Sequence, residues 1–337
     1  MNLKMIDLFA GIGAFRLAFE KYNVECIFSA DFDIAVAKAY EYAYGDDPYC
    51  DINTIDISTM PDFNILCAGF PCQPFSVAGL RLGFDDPRAQ AAIKTFEIIK
   101  IKQPEIFILE NVKGLNKKTP GTNQTPLKKI LELLEPCGYH LETHLYNAYF
   151  HGDTPQNRER YFITGIRKDV YSGSYTHLST NDVSNLTFKN ILEDPEDISA
   201  VHYYDISTKP NFNNDLWEEL LAYQATEDFS DYVYQIRRKY IRRHTVKGRC
   251  PTLTKNMGTG GHNVPIIYDQ RISKWRRFTP KECMRLQSFP ENFPIHPNLS
   301  NSKLYCIAGN SIPVTLATRV AKASLDALNT QKEQNEH

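Results

Sequence analysis

A cysteine in the run Phe70-Pro71-Cys72-Gln73-Pro74-Phe75-Ser76 is the most reactive group the chain offers. It follows an apolar run, residues 63–69, and sits in a turn bracketed by two prolines. The carboxyl end of a parallel strand is where open α/β sheets bind ligands, and a thiolate held there is a nucleophile. The plain alternative, a buried structural thiol, suits Cys67 inside the run. Glu110, in Glu110-Asn111-Val112 at the end of another apolar run, has two readings of equal weight. It is a proton carrier, or an acid stabilised at a helix N-terminus. Arg158 and Arg160 in Gln156-Asn157-Arg158-Glu159-Arg160 share a face if the segment is extended. The commoner fate of such a pair is an exposed basic patch.

A second constellation is Gly11-Ile12-Gly13 after the run 3–9. Glycines permit a sharp turn and close approach of a ligand. Asp31 follows at the end of the next strand-like run, about 20 residues further along, where an acid can bind ribose hydroxyls. Ala14 and Phe15 come directly after Gly13, so the third glycine of the dinucleotide fingerprint is missing. That favours S-adenosylmethionine, which has no pyrophosphate, over NAD. Asp51, before Ile52, is a candidate for the adenine edge.

These residues need a scaffold of alternating strands and helices. Strand-like runs occupy 3–9, 24–31, 63–69 and 105–111, with later ones at 140–148 and 160–167. Helical spacing covers 14–22, 34–43, 91–101, 125–139 and 312–328. Alternation of this kind predicts a doubly wound, mostly parallel α/β sheet. It stops near residue 168; from there to about 300 the chain is polar, aromatic-rich and irregular, and the last residues are expected to fray.

The chain has 337 residues, and 42% of them are hydrophobic. That length is enough for two domains, and that composition excludes a disordered or fibrous chain. No apolar stretch is long enough to span a bilayer, so no membrane role is expected. Eight cysteines without CxxC pairs and nine scattered histidines give no metal-site spacing. They suggest a reducing, cytoplasmic compartment. The net charge of -2 hides a division. Residues 182–231 hold 12 acids and two bases, whereas 232–281 hold 13 bases and one acid. Strong positive charge can therefore be confined to one surface.

The motifs LFAGIGAF, FPCQPFS, ENVKGL, QNRER, RFTPKECMRLQSFP and AGNSIPV, in that order, closely resemble the cytosine-C5 DNA methyltransferases of bacterial restriction-modification type. The resemblance runs from residue 5 to about 325 and is weak only across 170–245. It implies a class I S-adenosylmethionine-dependent methyltransferase fold with a smaller, irregular target-recognition domain. The expected division is 1–168 plus 303–330 for catalysis and cofactor, and 169–302 for recognition.

The resemblance makes Cys72 the nucleophile that adds to C6 of a flipped-out cytosine. Glu110 relieves charge at N3, Arg160 contacts the O2 side and Arg158 orders the site. Phe9, Gly11, Gly13, Asp31, Phe32, Asp51, Ile52 and Asn310 are implicated in cofactor binding. Gln73, Ser76, Arg243, Thr252 and Leu253 are expected to contact DNA, where the basic block and the CPTLT…GTGG run resemble the family's recognition region. Base flipping and phosphate contacts go with that role. The partners implied are double-stranded DNA with a short specific site and a cognate restriction endonuclease acting independently. A monomer associated with the bacterial nucleoid is expected. Three departures stand out: Ala14 for a glycine, Asp31 for a glutamate, and an altered, longer step at 86–94. Methylation of tRNA by the same chemistry, and a non-enzymatic DNA-binding relative, are the rival readings.

Overall fold

The computed structural model describes residues 3–71, 87–118, 123–204, 214–237, 240–258 and 264–328. Cys72, Gln73 and Ser76, and the first four residues of the altered 86–94 step, lie outside the residues whose side chains are described. The chain forms two compact units. Unit 1 takes residues 1–147, 159–180 and 314–337; unit 2 takes 148–158 and 181–313. The dividing points thus fall at different places from the 168 and 303 read from sequence. The segment holding Arg158 belongs to unit 2, and so does the one holding Asn310.

Unit 1 is a six-stranded sheet. Its strands are β1 (Lys4–Leu8), β2 (Glu25–Ala30), β3 (Ile65–Ala68), β4 (Ile106–Val112), β5 (Tyr139–Asn147) and β7 (Glu159–Arg167). The order is β2-β1-β3-β4-β7-β5. The first four strands pair in parallel, and β7 joins β4 and β5 antiparallel. Residues Ile65–Ala68 of β3 and Ile106–Leu109 of β4 are almost wholly inaccessible, as central strands covered on both faces should be. The helices are α1 (Ala14–Glu20), α2 (Ile34–Tyr44), α3 (Pro87–Lys102), α4 (Pro126–Leu134) and α9 (Val314–Asp326).

Local signals start two of these helices. Asp33 caps α2 by accepting from the Ala35 and Val36 amides, and Thr125 caps α4 ahead of Pro126. The inner face of α1, Ala14, Phe15, Ala18 and Phe19, packs against α9. Tyr22 donates to the Thr318 carbonyl at 3.4 Å.

Unit 2 contains the short helix α5 (Ala148–His151), β6 (Gln156–Asn157), α6 (Asn214–Gln224), β10 (Cys250–Pro251), α7 (Pro280–Leu286) and α8 (Asn301–Asn310). It also holds a four-stranded sheet, ordered β12-β11-β8-β9. The strands are β8 (Tyr234–Ile236), β9 (Ile241–Arg243), β11 (Ile266–Asp269) and β12 (Lys274–Arg277). All its pairings are antiparallel. Its apolar cluster is Leu216, Leu220, Tyr234, Ile236, Ile241, Ile266 and Trp275. Arg276 is fully buried; it donates from Nε to Asp269 and from both terminal nitrogens to Glu282. Glu282 also completes the capping box of α7 with Thr279.

Candidate active site

The loop leaving β1 turns through a left-handed series. Phe9 has φ 56°, Gly11 φ 58° and Gly13 φ 79°. Gly13 closes the turn by donating to the Ala10 carbonyl at 2.9 Å. A Cβ on Gly13 would lie 2.6 Å from the Tyr44 hydroxyl oxygen, whereas one on Gly11 would meet nothing within 4 Å. The loop is therefore packed below Gly13 and open above Gly11. Asp31, at the end of β2, fixes it: Oδ2 accepts from the Gly11 amide and Oδ1 from the Asp33 amide, both at 2.9 Å. Burial is the main cause that pushes the Asp31 carboxyl above the usual carboxylate range.

Next to Asp31 the Phe32 ring is 67% exposed; it stacks on Tyr49 with centroids 6.2 Å apart. Asp51 caps the following turn through Oδ1, which accepts from the Asn53 amide. Ile52 is 5% exposed and belongs to the core, so its side chain shapes the floor of this region from below. Asn310, the other expected cofactor residue, is exposed at the end of α8 in unit 2.

Sequence context does not single out Asp7 on β1. It is 1% exposed, and no side chain among the described residues donates to its carboxylate oxygens. Burial first, and Asp31 second, drive its carboxyl well above the ordinary range, while the Arg16 amide and guanidinium oppose the shift.

At the end of β4 the expected catalytic acid meets one of the two expected arginines. Arg160 Nε lies 2.8 Å from Glu110 Oε1, and both side chains are nearly buried. The strand register places Val112 opposite Arg160 and Glu110 opposite Phe162, so the β4–β7 pairing brings the two side chains together. Glu110 Oε2 faces the end of β3, 3.5 Å from where a Cβ on Gly69 would be. Asn111, 4% exposed, donates from Nδ2 to the Phe70 carbonyl at 3.0 Å, and its Oδ1 accepts from the Val112 amide. It thereby pins the chain two residues before Cys72 to the strand that carries Glu110. In the sequence Asn111 stands out only as part of a motif. The usable signal was its position: a buried amide beside an acid at a strand end needs partners.

Arg158 is in a different setting. The sequence reading puts it with the catalytic residues and on one face with Arg160. Its side chain is 1% exposed within unit 2 and donates to three backbone carbonyls, Leu253 at 2.8 Å, Gly309 at 3.2 Å and Ser311 at 2.5 Å. It clamps the chain after β10 to the end of α8. Gln156 and Gln287, both inaccessible, extend the clamp. Gln156 accepts from the Leu253 amide and donates to the Leu286 carbonyl, and Gln287 donates to the Ala308 carbonyl. Gly309 is required there, because a Cβ would sit 2.2 Å from the Thr254 carbonyl oxygen.

Of the expected DNA contacts, Leu253 is 1% exposed, so its side chain is core and only its backbone takes part in the clamp. Thr252 is half-buried and donates from its hydroxyl to the Asn157 carbonyl. Arg243 lies over the Tyr232 ring at 4.4 Å and near the Tyr223 ring at 5.8 Å, within cation–π range of both.

The model of the family described as C-5 cytosine-specific DNA methylase matches residues 3–325. The Type II methyltransferase M.Bsp6I of Bacillus sp. (strain RFL6) is 37% identical over 323 residues, spanning 95% of this chain and 98% of that protein. The Type II methyltransferase M.HhaI of Haemophilus parahaemolyticus is 30% identical over 338 residues, spanning 97% and 96%. Among solved structures, Spodoptera frugiperda DNMT2 superposes with a TM-score of 0.73 at 18% identity, over 96% of this chain and 99% of that one. S. pombe Dnmt2 gives 0.72 at 18% identity, over 96% and 99%. The structural likeness establishes the expected class I methyltransferase fold. With the family model matched over nearly its whole length, and with relatives aligned along almost all of both chains, the chain belongs to the C-5 cytosine-specific DNA methylase family and is a DNA cytosine-C5 methyltransferase.

Proposed function

We propose that the protein takes the methyl group from S-adenosylmethionine and modifies one cytosine within a short specific duplex sequence, as the modification enzyme of a restriction system. The observation that carries the reading is the Glu110–Arg160 pair at the mouth of β4, beside the chain that leads to Cys72.

The residues present suit this cofactor. The loop is open above Gly11, an exposed aromatic ring stands next to Asp31, and Asp31 offers acceptor oxygens for hydroxyls. The missing third glycine, with Ala14 and Phe15 directly after Gly13, disfavours a pyrophosphate against this loop. Phe9, Gly11, Gly13, Asp31, Phe32 and Asp51 are the unit 1 residues assigned to hold it, with Ile52 supporting from the core and Asn310 assigned from unit 2. When bound, it supplies an electrophilic methyl group on sulfur.

The thiolate of Cys72 is assigned to attack C6 of the cytosine, forming a carbon–sulfur bond. Electron density then moves toward N3, where Glu110 Oε2 holds the proton that relieves the charge. Arg160 keeps the other oxygen, Oε1, in place and faces the base's O2 side. C5 becomes the nucleophile and receives the methyl group. Loss of the C5 proton to a base re-forms the C5–C6 double bond and expels the thiolate. Arg158 acts through the clamp, as a positioning residue. Unit 1 is assigned catalysis and unit 2 target recognition, with Thr252 and Arg243 near the duplex; Gln73 and Ser76 stay assigned to DNA by resemblance alone. We further propose that the enzyme acts as a monomer, in the cytoplasm at the nucleoid, with any cognate endonuclease working independently.

The test is methyl transfer from labelled S-adenosylmethionine to bacterial and phage DNA, with tRNA in parallel. C5-methylcytosine in DNA alone is expected. Label in tRNA alone would overturn the DNA assignment. Cys72→Ser should abolish turnover, and 5-fluorocytosine DNA should trap a covalent complex; failure of both would remove the nucleophile.

A further inference from the structure

Within unit 2 the β8–β9 hairpin sets two arginines against one neutral acceptor. Gln235 on β8 is 4% exposed, and its Oε1 accepts from Arg237 Nη2 at 3.0 Å and from Arg242 Nη2 at 2.7 Å. One oxygen thus gathers two guanidiniums side by side. Glutamine carries no charge, so the shared acceptor does not cancel them. The facing ends of β8 and β9 are tied. Arg237 donates its amide to the Tyr240 carbonyl at 2.8 Å, and Glu219 of α6 accepts through Oε2 from the Ile241 amide at 2.9 Å.

Two neighbouring groups lie in the same positive field. Burial, and after it Arg242, makes Arg237 a stronger acid than an ordinary guanidinium. His244, one residue beyond β9, is held below the usual histidine range by burial first, with Arg242 and Arg249 acting in the same direction and its contact to the Val246 carbonyl opposing. Several other bases of the unit meet carboxylates: Asp269 for Arg271, Asp269 and Glu282 for Arg276, Glu291 for Arg285, and Asp231 for Lys247. At the Arg237–Arg242 junction the shared acceptor is a neutral amide.

We propose that Gln235, Arg237 and Arg242 form a clamp for one phosphodiester of the DNA backbone. A phosphate brings a full negative charge to the point where two like charges converge, and guanidiniums match its oxygens in pairs. A guanine edge offers neutral acceptors and would relieve the pair far less. Tying one nitrogen of each arginine to Gln235 sets the guanidinium planes before DNA arrives. The clamp rests on the assignment of duplex DNA as substrate and names which residues of the basic block hold its backbone, independently of sequence.

The test uses the full chain and a short fluorescent duplex of mixed sequence, with affinity followed across a potassium chloride titration. Each neutralised phosphate contributes about 0.9 to the slope of log affinity against log salt. Arg242→Gln and Arg237→Gln are each expected to lower that slope by about one and to weaken binding by a similar factor on every duplex. Gln235→Glu, nearly isosteric, fills the clamp with the protein's own carboxylate and should weaken binding as much. Arg285→Gln, in an ion pair elsewhere in the unit, should leave the slope unchanged. Bisulfite mapping of cells carrying each variant should give the wild-type methylated sequence at lower occupancy. An unchanged slope in the arginine variants with wild-type melting overturns the clamp. So does a map relaxed at one base position, which would mean guanine reading. Absence of salt-dependent duplex binding in the wild type would instead strike the DNA assignment itself.

Discussion

Replacing Arg158 separates a positioning role from direct contact with the base. Its three carbonyl partners, on Leu253, Gly309 and Ser311, are bonded at 2.8, 3.2 and 2.5 Å, and the side chain is 1% exposed. A buried acceptor left without a partner costs about 1–3 kcal/mol. Three of them would give up to three times that, but neighbouring acceptors relax together, so we take about 4 kcal/mol for Arg158→Ala. At roughly 2–4 °C per kcal/mol for a unit of this size, the melting temperature should fall by about 10 °C or more. Arg158→Lys keeps the charge and can reach one or two of the carbonyls, so about half the loss is expected. The assay pairs a thermal melt with single-turnover methyl transfer at room temperature, where both variants remain largely folded. Transfer should decline modestly and in the order wild type, lysine, alanine, following the melts. A variant that melts like the wild type but has lost transfer by orders of magnitude would refute the clamp reading and place Arg158 against the substrate.

Asp7→Asn should raise stability at neutral pH. The folded-state carboxyl titrates above its unfolded value because of burial, so the folded state holds its proton more tightly. The wild type therefore loses stability as pH rises from the unfolded value of about 3.9 toward the raised one. Chemical denaturation between acid and neutral pH should show that slope flattened in the variant; a steeper slope would be contrary. Arg276→Met strands Asp269 and Glu282 in the interior. It should cost about 3–5 kcal/mol, partly recovered at acid pH as the carboxylates take up protons. A melt unchanged by the substitution would show that the triad is not needed for unit 2. Asn111→Ala releases the Phe70 carbonyl and should cost about 1 kcal/mol of stability. It should also slow single-turnover transfer roughly tenfold, which is about 1.4 kcal/mol of barrier. Asn111→Asp, which sets an acceptor against that carbonyl, should be slower still, and equal rates in all three would dismiss the tether.

Unit 1 was legible because its elements are long and their apolar spacing is regular. β3 and the first four residues of β4 read as unbroken apolar runs, and α2 and α4 carry their own caps. Unit 2 was not, because β8 and β9 have three residues each, too few for alternation to register. The pairing of Glu110 with Arg160 depends on the β4–β7 register, between strands far apart in sequence, and no local pattern encodes it. The charge blocks misled in part. Arg276 and Arg271 lie in the basic block, yet Asp269 and Glu282 engage them within the fold. Likewise the acidic stretch is not merely solvated, since Asp231 receives Lys189 and Lys247, and Thr279 donates to Glu193.

Unit 1 is assembled from three separated pieces of chain, and its last piece, α9, covers the apolar face of the helix that follows the glycine loop. This fixes an order of events during synthesis. Until residues 314–326 leave the ribosome, Ala14, Phe15, Ala18 and Phe19 lack that cover, whereas everything unit 2 requires has already been made. The surface assigned to grip DNA needs nothing from the last helix, whereas the half assigned to chemistry is not completed without it. Messages cut short before the final helix should yield chains that are cleared by proteases, because that apolar face stays bare.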